Sequence, residues 1–143
     1  IKDRKKIKKE KILIDGVSKK ILAILRKVVT DKEGTASLAN VKGYEIGGKT
    51  GTAQKSSLGG YSKKKKINTF VSIFPTSKPK FVLAVMLDEP EINEDYIYEY
   101  RDGSNFKLKG SPRNTAGWNS VEVAGHIIEK IGPILATKNS EVN

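Results

Sequence analysis

The chain has 143 residues, no cysteine, 37% hydrophobic content and a formal net charge of +11. That length suits one domain or a piece of a larger one, and the lack of cysteine excludes disulfides and thiolate metal sites. No apolar run reaches the roughly 18 residues of a membrane span, and no apolar segment of signal-peptide type follows the charged start IKDRKKIKKEK.

Residues 1–14 read as a charged connector that ends in the apolar patch 12–14. From Ser18 the pattern becomes helical: Ile21, Leu22, Leu25, Val28 and Val29 recur at spacings of three and four, Ser18 or Asp15 can cap the start, and Gly34 stops it. GTASLANVKGYEI reads as loop or weak strand, residues 47–54 as a small-residue extended segment, and SSLGGYSKKKK as a loop. Two strands follow, residues 67–74 and 81–88, rich in β-branched and aromatic side chains and joined by the short turn PTSKP as an antiparallel hairpin. Residues 89–117 are polar and read as a long excursion in which Tyr96, Tyr98 and Tyr100 alternate as on a short edge strand. Asn119 or Ser120 can cap a last helix with Val123, Ile127, Ile128 and Ile131 on one face, ended or kinked at Gly132-Pro133, with residues 136–143 as a flexible tail. The expected fold class is α+β, an antiparallel sheet with flanking helices that cover one face only.

The stretch GYEIGGKTGTAQ carries two motifs with different chemistry. From Gly43 it satisfies the phosphate-loop pattern G-x-x-x-x-G-K-[ST], and the acidic pair Asp88 and Glu89 at a strand end adds a magnesium-type carboxylate. A phosphate loop needs a buried strand before Gly43 and a helix from Lys49. ASLANVK is not the first, and Gly51, Gly59 and Gly60 forbid the second. From Lys49 the same stretch reads K-T-G-T, which needs an extended strand at a groove: Lys49 supplies positive potential, Thr50 and Thr52 offer hydroxyls to a carboxylate, and Gly51 removes an obstructing side chain. The lysine clusters Lys5, Lys6, Lys8, Lys9 and 63–66 lack the interleaved aromatics that stack bases, so they read as solvated loops and no nucleic-acid partner is expected. His126, the only histidine, reads as a packing or surface residue, Trp118 as core or staple, and no metal site is expected.

GTASLANVKGYEIGGKTGTAQK followed by FVSIFPTSKPKFVLAVMLDEP resembles the C-terminal part of the transpeptidase domain of class B penicillin-binding proteins, closely over residues 15–90 and in kind over the final helix. The resemblance implies a serine acyl-enzyme that cross-links peptidoglycan stem peptides and is trapped by β-lactams, without a cofactor. Carried over by position, Lys49 assists electrostatics and proton transfer, and Thr50, Gly51 and Thr52 bind the substrate carboxylate. The Thr52 backbone N–H forms half of an oxyanion hole, and Gln54 is a further substrate contact. It also implies an extracytoplasmic, periplasmic location, a membrane-anchored parent protein and partners among divisome or cell-wall synthesis proteins. The family's nucleophile motif S-x-x-K and its S-x-N are absent upstream of K-T-G. Formal S-x-x-K matches at Ser62/Lys65, Ser77/Lys80 and Ser104/Lys107 all follow it, so this chain alone is expected to be inactive. A penicillin-binding sensor module without catalysis, and a nucleotide- or nucleic-acid-binding domain, are the alternatives. Residues 91–117 depart from the family's glycine pair and AAP-like turn.

Overall fold

A computed structural model describes residues 12–57, 59–110 and 113–140; most of the expected connector and the Lys5, Lys6, Lys8, Lys9 cluster lie outside them. The first helix, α1, spans Val17–Thr30. Its N-cap is neither Asp15 nor Ser18 but Gly16, whose φ of 84° lies in the left-handed region that glycine alone enters cheaply. Leu22, Leu25, Val28 and Val29 turn inward, whereas the predicted Ile21 is exposed. The helix stops at Thr30, before Gly34. The role of Gly34 is to let the chain fold back on the helix end, because a Cβ there would sit 2.4 Å from the Val28 carbonyl oxygen.

Three antiparallel strands in the order β1-β2-β3 form the sheet: β1 Gly47–Ser57, β2 Gly60–Phe74 and β3 Phe81–Asp88. The β2–β3 pair matches the expected hairpin. The expected SSLGGYSKKKK loop is corrected, since β1 runs on to Ser57 and β2 already starts at Gly60, so the lysine run lies on a strand. Lysine disfavours strands only weakly when its side chain faces water, and pairing with β1 on either side of the run, at Tyr61 and Lys66, decides the outcome. Along β2, Asn68, Phe70, Ser72 and Phe74 are buried while Thr69, Val71 and Ile73 are not, as a period of two requires for a sheet covered on one face. The covered face meets both helices. Phe70, Phe74 and Val85 share one core with Val29 of α1, and with Val121, Ala124 and Ile128 of α2, Ser120–Ser140. On the other face Val71, Val82 and Met86 are exposed.

The excursion after β3 is more ordered than its polarity suggests. It holds a small two-stranded sheet, β4 Ile97–Glu99 with β5 Lys107–Lys109. Tyr98 of β4 is buried against Trp118, ring centroids 5.2 Å apart. Asn119 precedes α2; its side-chain oxygen accepts the adjacent Ser120 N–H at 2.7 Å and its carbonyl accepts the Val123 N–H at 2.9 Å, the first bond of the helix. Two expectations for α2 fail. Its buried stripe is Val121, Ala124 and Ile128 rather than one through Val123, which is exposed. Small residues set that stripe: a Cβ on Gly125 would lie 2.7 Å from the Leu38 carbonyl oxygen, so the backbones touch there. Of the two outcomes expected at Gly132-Pro133, ending the helix is the one that fails, since the helix carries Pro133 inside it and reaches Ser140, into most of the predicted tail. Gly132 serves packing instead, since the Tyr44 ring occupies the place of its missing side chain.

Candidate active site

β1 is a margin of the sheet, hydrogen-bonded only to β2, so alternate backbone amides along it face away from its neighbour. Its start is built for packing. A Cβ on Gly47 would meet the Leu25–Arg26 backbone at 3.1 Å, and one on Gly48 the Phe70 ring at 2.6 Å. Arg26 Nη1 donates to the Ile46 carbonyl at 2.6 Å and Nη2 to Asn40 Oδ1 at 3.2 Å, fixing the entry of the chain into β1. From Lys49 the strand emerges: Lys49, Gly51, Thr52 and Gln54 are exposed and Thr50 is half-buried.

The register sorts these side chains. Thr50 faces Phe70 and Thr52 faces Asn68, so both hydroxyls lie on the helix side; Lys49 is paired with Val71 and Gly51 with Thr69 on the open side. The Thr50 and Thr35 hydroxyls are 3.0 Å apart and hydrogen-bonded. Thr52 Oγ1 accepts the Ala116 N–H at 3.0 Å. Lys49 Nζ donates to the Thr50 carbonyl at 2.7 Å. Between these elements lies a groove of about 480 Å³, lined among others by Lys32, Thr35, Thr50, Thr52, Arg113 and Trp118. Gln54 stands further along the same margin, beside a second open cavity.

Sequence reasoning missed the helix-side wall of this groove. Thr35 lies in a segment read as loop, and residues 113–118 belong to the stretch that departs from the family pattern, yet both contribute to it. A clamp of amides holds that segment: Asn114 Oδ1 accepts from buried Asn68 Nδ2 at 2.7 Å, and Asn114 Nδ2 donates to the Pro90 carbonyl at 2.6 Å. The one sequence signal for this wall is GTA at residues 34–36, which opens the stretch that carries the family resemblance. Trp118, read as core, both packs on Tyr98 and lines the groove.

The other motifs resolve differently. At Lys49 the backbone is strand, and Gly43 sits in a turn at φ 87°, so no helix N-terminus exists to gather phosphate oxygens. Asp88 and Glu89 hold Lys55 at 2.9 and 2.8 Å. The hydrogen bonds Lys55 donates to Glu89 and then to Asp88 raise its pKa, and the Lys55 ammonium lowers that of Glu89. Among the described residues no cluster of His, Asp and Glu suits a metal ion. The three formal S-x-x-K serines stand in strand or turn: Ser62 Oγ accepts the Lys65 N–H, the Ser77 N–H donates to Glu45, and Ser104 Oγ accepts the Phe106 N–H. None opens a helix, where a serine nucleophile with a lysine one turn later would need to stand.

His126 joins a buried cluster on α2. Arg101 donates from Nη1 and Nη2 to the two Glu122 carboxylate oxygens, each at 2.9 Å, and Nη2 lies 2.7 Å from His126 Nε2. Burial alone would lower the Arg101 pKa, but the Glu122 hydrogen bonds and charge outweigh it and raise it. Burial, reinforced by Glu122, pushes Tyr96 up to about 12. This cluster ties the β4–β5 excursion to α2.

Comparison with known proteins agrees with this geometry. The family model described as penicillin binding protein transpeptidase domain matches residues 2–105. A peptidoglycan D,D-transpeptidase FtsI homolog of Nephroselmis olivacea is 51% identical over 72 residues, 50% of this chain and 10% of that protein. The probable peptidoglycan D,D-transpeptidase FtsI of Caulobacter vibrioides is 30% identical over 135 residues, 90% of this chain and 20% of that protein. Among solved structures, the apo transpeptidase domain of Burkholderia pseudomallei penicillin-binding protein 3 superposes with a TM-score of 0.58 at 29% identity, covering 81% of this chain and 29% of that one. Penicillin-binding protein 3 of Mycobacterium tuberculosis complexed with ampicillin gives 0.55 at 29% identity, over 80% of this chain and 24% of that one. The chain therefore spans a small part of the length of these relatives. With K-T-G-T on a marginal strand of an antiparallel sheet flanked by helices, and a family match over most of its length, the chain belongs to the penicillin-binding protein transpeptidase family.

Proposed function

We propose that this chain supplies one wall of the active site of a peptidoglycan D,D-transpeptidase that cross-links stem peptides through a serine acyl-enzyme. The carrying observation is the placement of K-T-G-T on the exposed part of β1, with two hydroxyls facing a groove and a lysine on the opposite face. Thr50 and Thr52 receive the terminal carboxylate of the substrate or of a β-lactam. The Thr52 N–H donates to the oxyanion of the tetrahedral intermediate, a contribution of roughly 3 kcal/mol in acyl transfer. Lys49 adds positive potential and takes part in moving the serine's proton through a partner on the opposing wall. Gln54 contacts the substrate further along.

Gly51 supports this reading in a way Gly48 does not. A Cβ on Gly51 would find its nearest atom 4.0 Å away, so packing among the described residues leaves room for a side chain. The need for glycine there comes from whatever lies over the strand. The acylated serine is not supplied by Ser62, Ser77 or Ser104, so the 143-residue chain alone is not acylated, whereas a protein joining it to an S-x-x-K and S-x-N wall is. That parent protein works at the extracytoplasmic face of the bacterial inner membrane, anchored there, alongside divisome or other cell-wall synthesis proteins.

Gel fluorescence with a labelled penicillin tests this. The chain alone should show no covalent label, and the joined protein about one label per molecule. In the joined protein Lys49→Ala should slow acylation by roughly 100-fold or more, and Thr52→Val, which keeps the backbone donor and removes only the hydroxyl bonded to the carboxylate, by roughly tenfold, neither of them unfolding it. Stoichiometric labelling of the chain alone, or full-rate acylation of Lys49→Ala, overturns the proposal.

A further inference from the structure

β2 does not simply return along β1. The pairs Gln54 with Lys66 and Ser56 with Tyr61 leave Lys55 of β1 opposite residues 62–65 of β2, a lysine-bearing bulge that the Ser62 Oγ bond to the Lys65 N–H closes. Its charges are not all neutralised locally. Lys55 faces Asp88 and Glu89, and Lys65 lies 3.7 Å from Glu89, but among the described residues no carboxylate pairs with Lys63, Lys64 or Lys66. Lys66 is held in place by donating to the Asn114 carbonyl at 3.0 Å. Beyond Thr52, an open cavity of about 490 Å³ is lined by Thr52, Gln54, Tyr61 and Lys66.

An extended ligand with its end at Thr50 and Thr52 has one direction open to it. Toward Gly47 the margin of β1 is buried under α1, with no room even for a methyl group on Gly47 or Gly48. Toward Gln54 it is exposed and leads past Tyr61 and Lys66. We infer that the Tyr61–Lys66 cavity and the Lys63–Lys64 bulge form a cationic subsite selecting peptides that carry carboxylates upstream of their C-terminal end. The inference rests on the groove reading above. Tyr61 offers an apolar face and a hydroxyl, and the lysines supply charge where solvent screens it strongly, so the selectivity is modest and falls with salt.

The test is a titration of the ¹⁵N-labelled 143-residue chain with two peptides ending in D-Ala-D-Ala, one with glutamates upstream and one with glutamines. The glutamate peptide should bind about tenfold tighter at low salt and shift Thr50, Thr52, Gln54 and Tyr61. In about 0.5 M salt, and in the surface variant Lys63→Gln/Lys64→Gln, most of that gap should close. Equal affinities, with Thr50 and Thr52 shifting for both peptides, overturn the cationic subsite and leave the groove reading intact. Shifts confined to residues 62–66 overturn it in favour of unspecific contact with anions. Silence at Thr50 and Thr52 for both peptides removes the groove reading and the subsite with it.

Discussion

Replacing Glu122 by alanine should destabilise the chain by about 3–5 kcal/mol, because it strands a buried guanidinium. The Arg101 and Glu122 side chains are 4% and 5% exposed and meet through two parallel hydrogen bonds of 2.9 Å. Arg101 also donates from Nη1 to the carbonyls of Leu38 and Glu99, at 3.1 and 3.0 Å, so it is pinned and cannot follow its charge out to water. Its remaining carboxylate partner, Glu129, is 53% exposed and 3.3 Å from Nε, too well solvated to replace Glu122. Against an ordinary domain stability of about 5–15 kcal/mol the loss is large, roughly 10–20 °C in Tm for a chain of this size. Urea denaturation monitored by circular dichroism measures it. Glu129→Ala, removing an exposed partner, should cost no more than about 1 kcal/mol, and the isosteric pair Arg101→Met/Glu122→Leu should recover most of the single-variant loss. A Glu122→Ala loss below about 1 kcal/mol would refute the reasoning, as would a double variant no better than the single one.

Gly48→Ala should cost at least about 1–3 kcal/mol because its methyl group meets the Phe70 ring and the Val71 carbonyl, whereas Gly51→Ala should stay within about 0.5 kcal/mol of the parent; thermal melts of the two variants separate a packing glycine from a site glycine. The folded chain holds the Tyr96 phenol proton up to about 12, while an unfolded chain releases it near 10. Folded protein thus binds more protons in that window, and the stability tied to Tyr96 is complete below pH 10 and lost as pH rises through 12. Tyr96→Phe should therefore lose less stability than the parent between those values in pH-dependent urea melts. Trp118 is the only tryptophan and lines the Thr50–Thr52 groove, so a peptide ending in D-Ala-D-Ala should change its emission saturably, and Thr50→Val/Thr52→Val should weaken that response severalfold.

The parts of the fold legible in the sequence were those whose signal is local. Residues 67–74 and 81–88 alternate β-branched and aromatic side chains, and 81–88 is strand from end to end in the structure. K-T-G-T was read as strand because its glycines and its flanks exclude a helix, and β1 bears this out. What was not legible depends on contacts distant in sequence. The lysine run is carried into the strand by the flanking pairs Gln54 with Lys66 and Ser56 with Tyr61, and Gly125 lines the buried side of α2 because a neighbouring backbone comes too close for a larger side chain. The helix-side wall of the groove is the clearest case. Thr35 and Thr50 are 15 residues apart and Thr52 and Ala116 are 64 apart, and neither pair carries a periodicity that a single sequence can reveal.

One geometric consequence of the motif follows from the period of two. On a strand, Lys49 and Gly51 must leave by one face, and Thr50 and Thr52 by the other, as their partners Val71, Thr69, Phe70 and Asn68 register. A ligand that uses both the lysine charge and the threonine hydroxyls therefore cannot lie on either face of the sheet. It must lie along the margin, astride the strand, where the outward amides of β1 are within reach of both sides. The proposed function therefore ties the motif to the edge of a sheet: with a strand hydrogen-bonded on both sides, the same four residues would present their hydroxyls and their ammonium to separate compartments. It also explains the sharp change in burial between Gly48 and Lys49, where close packing against α1 gives way to open margin. The glycine pair packs the start of the strand closely, the next four residues are exposed or half-buried, and under the proposed function an extended ligand takes the place of a missing neighbour strand along them.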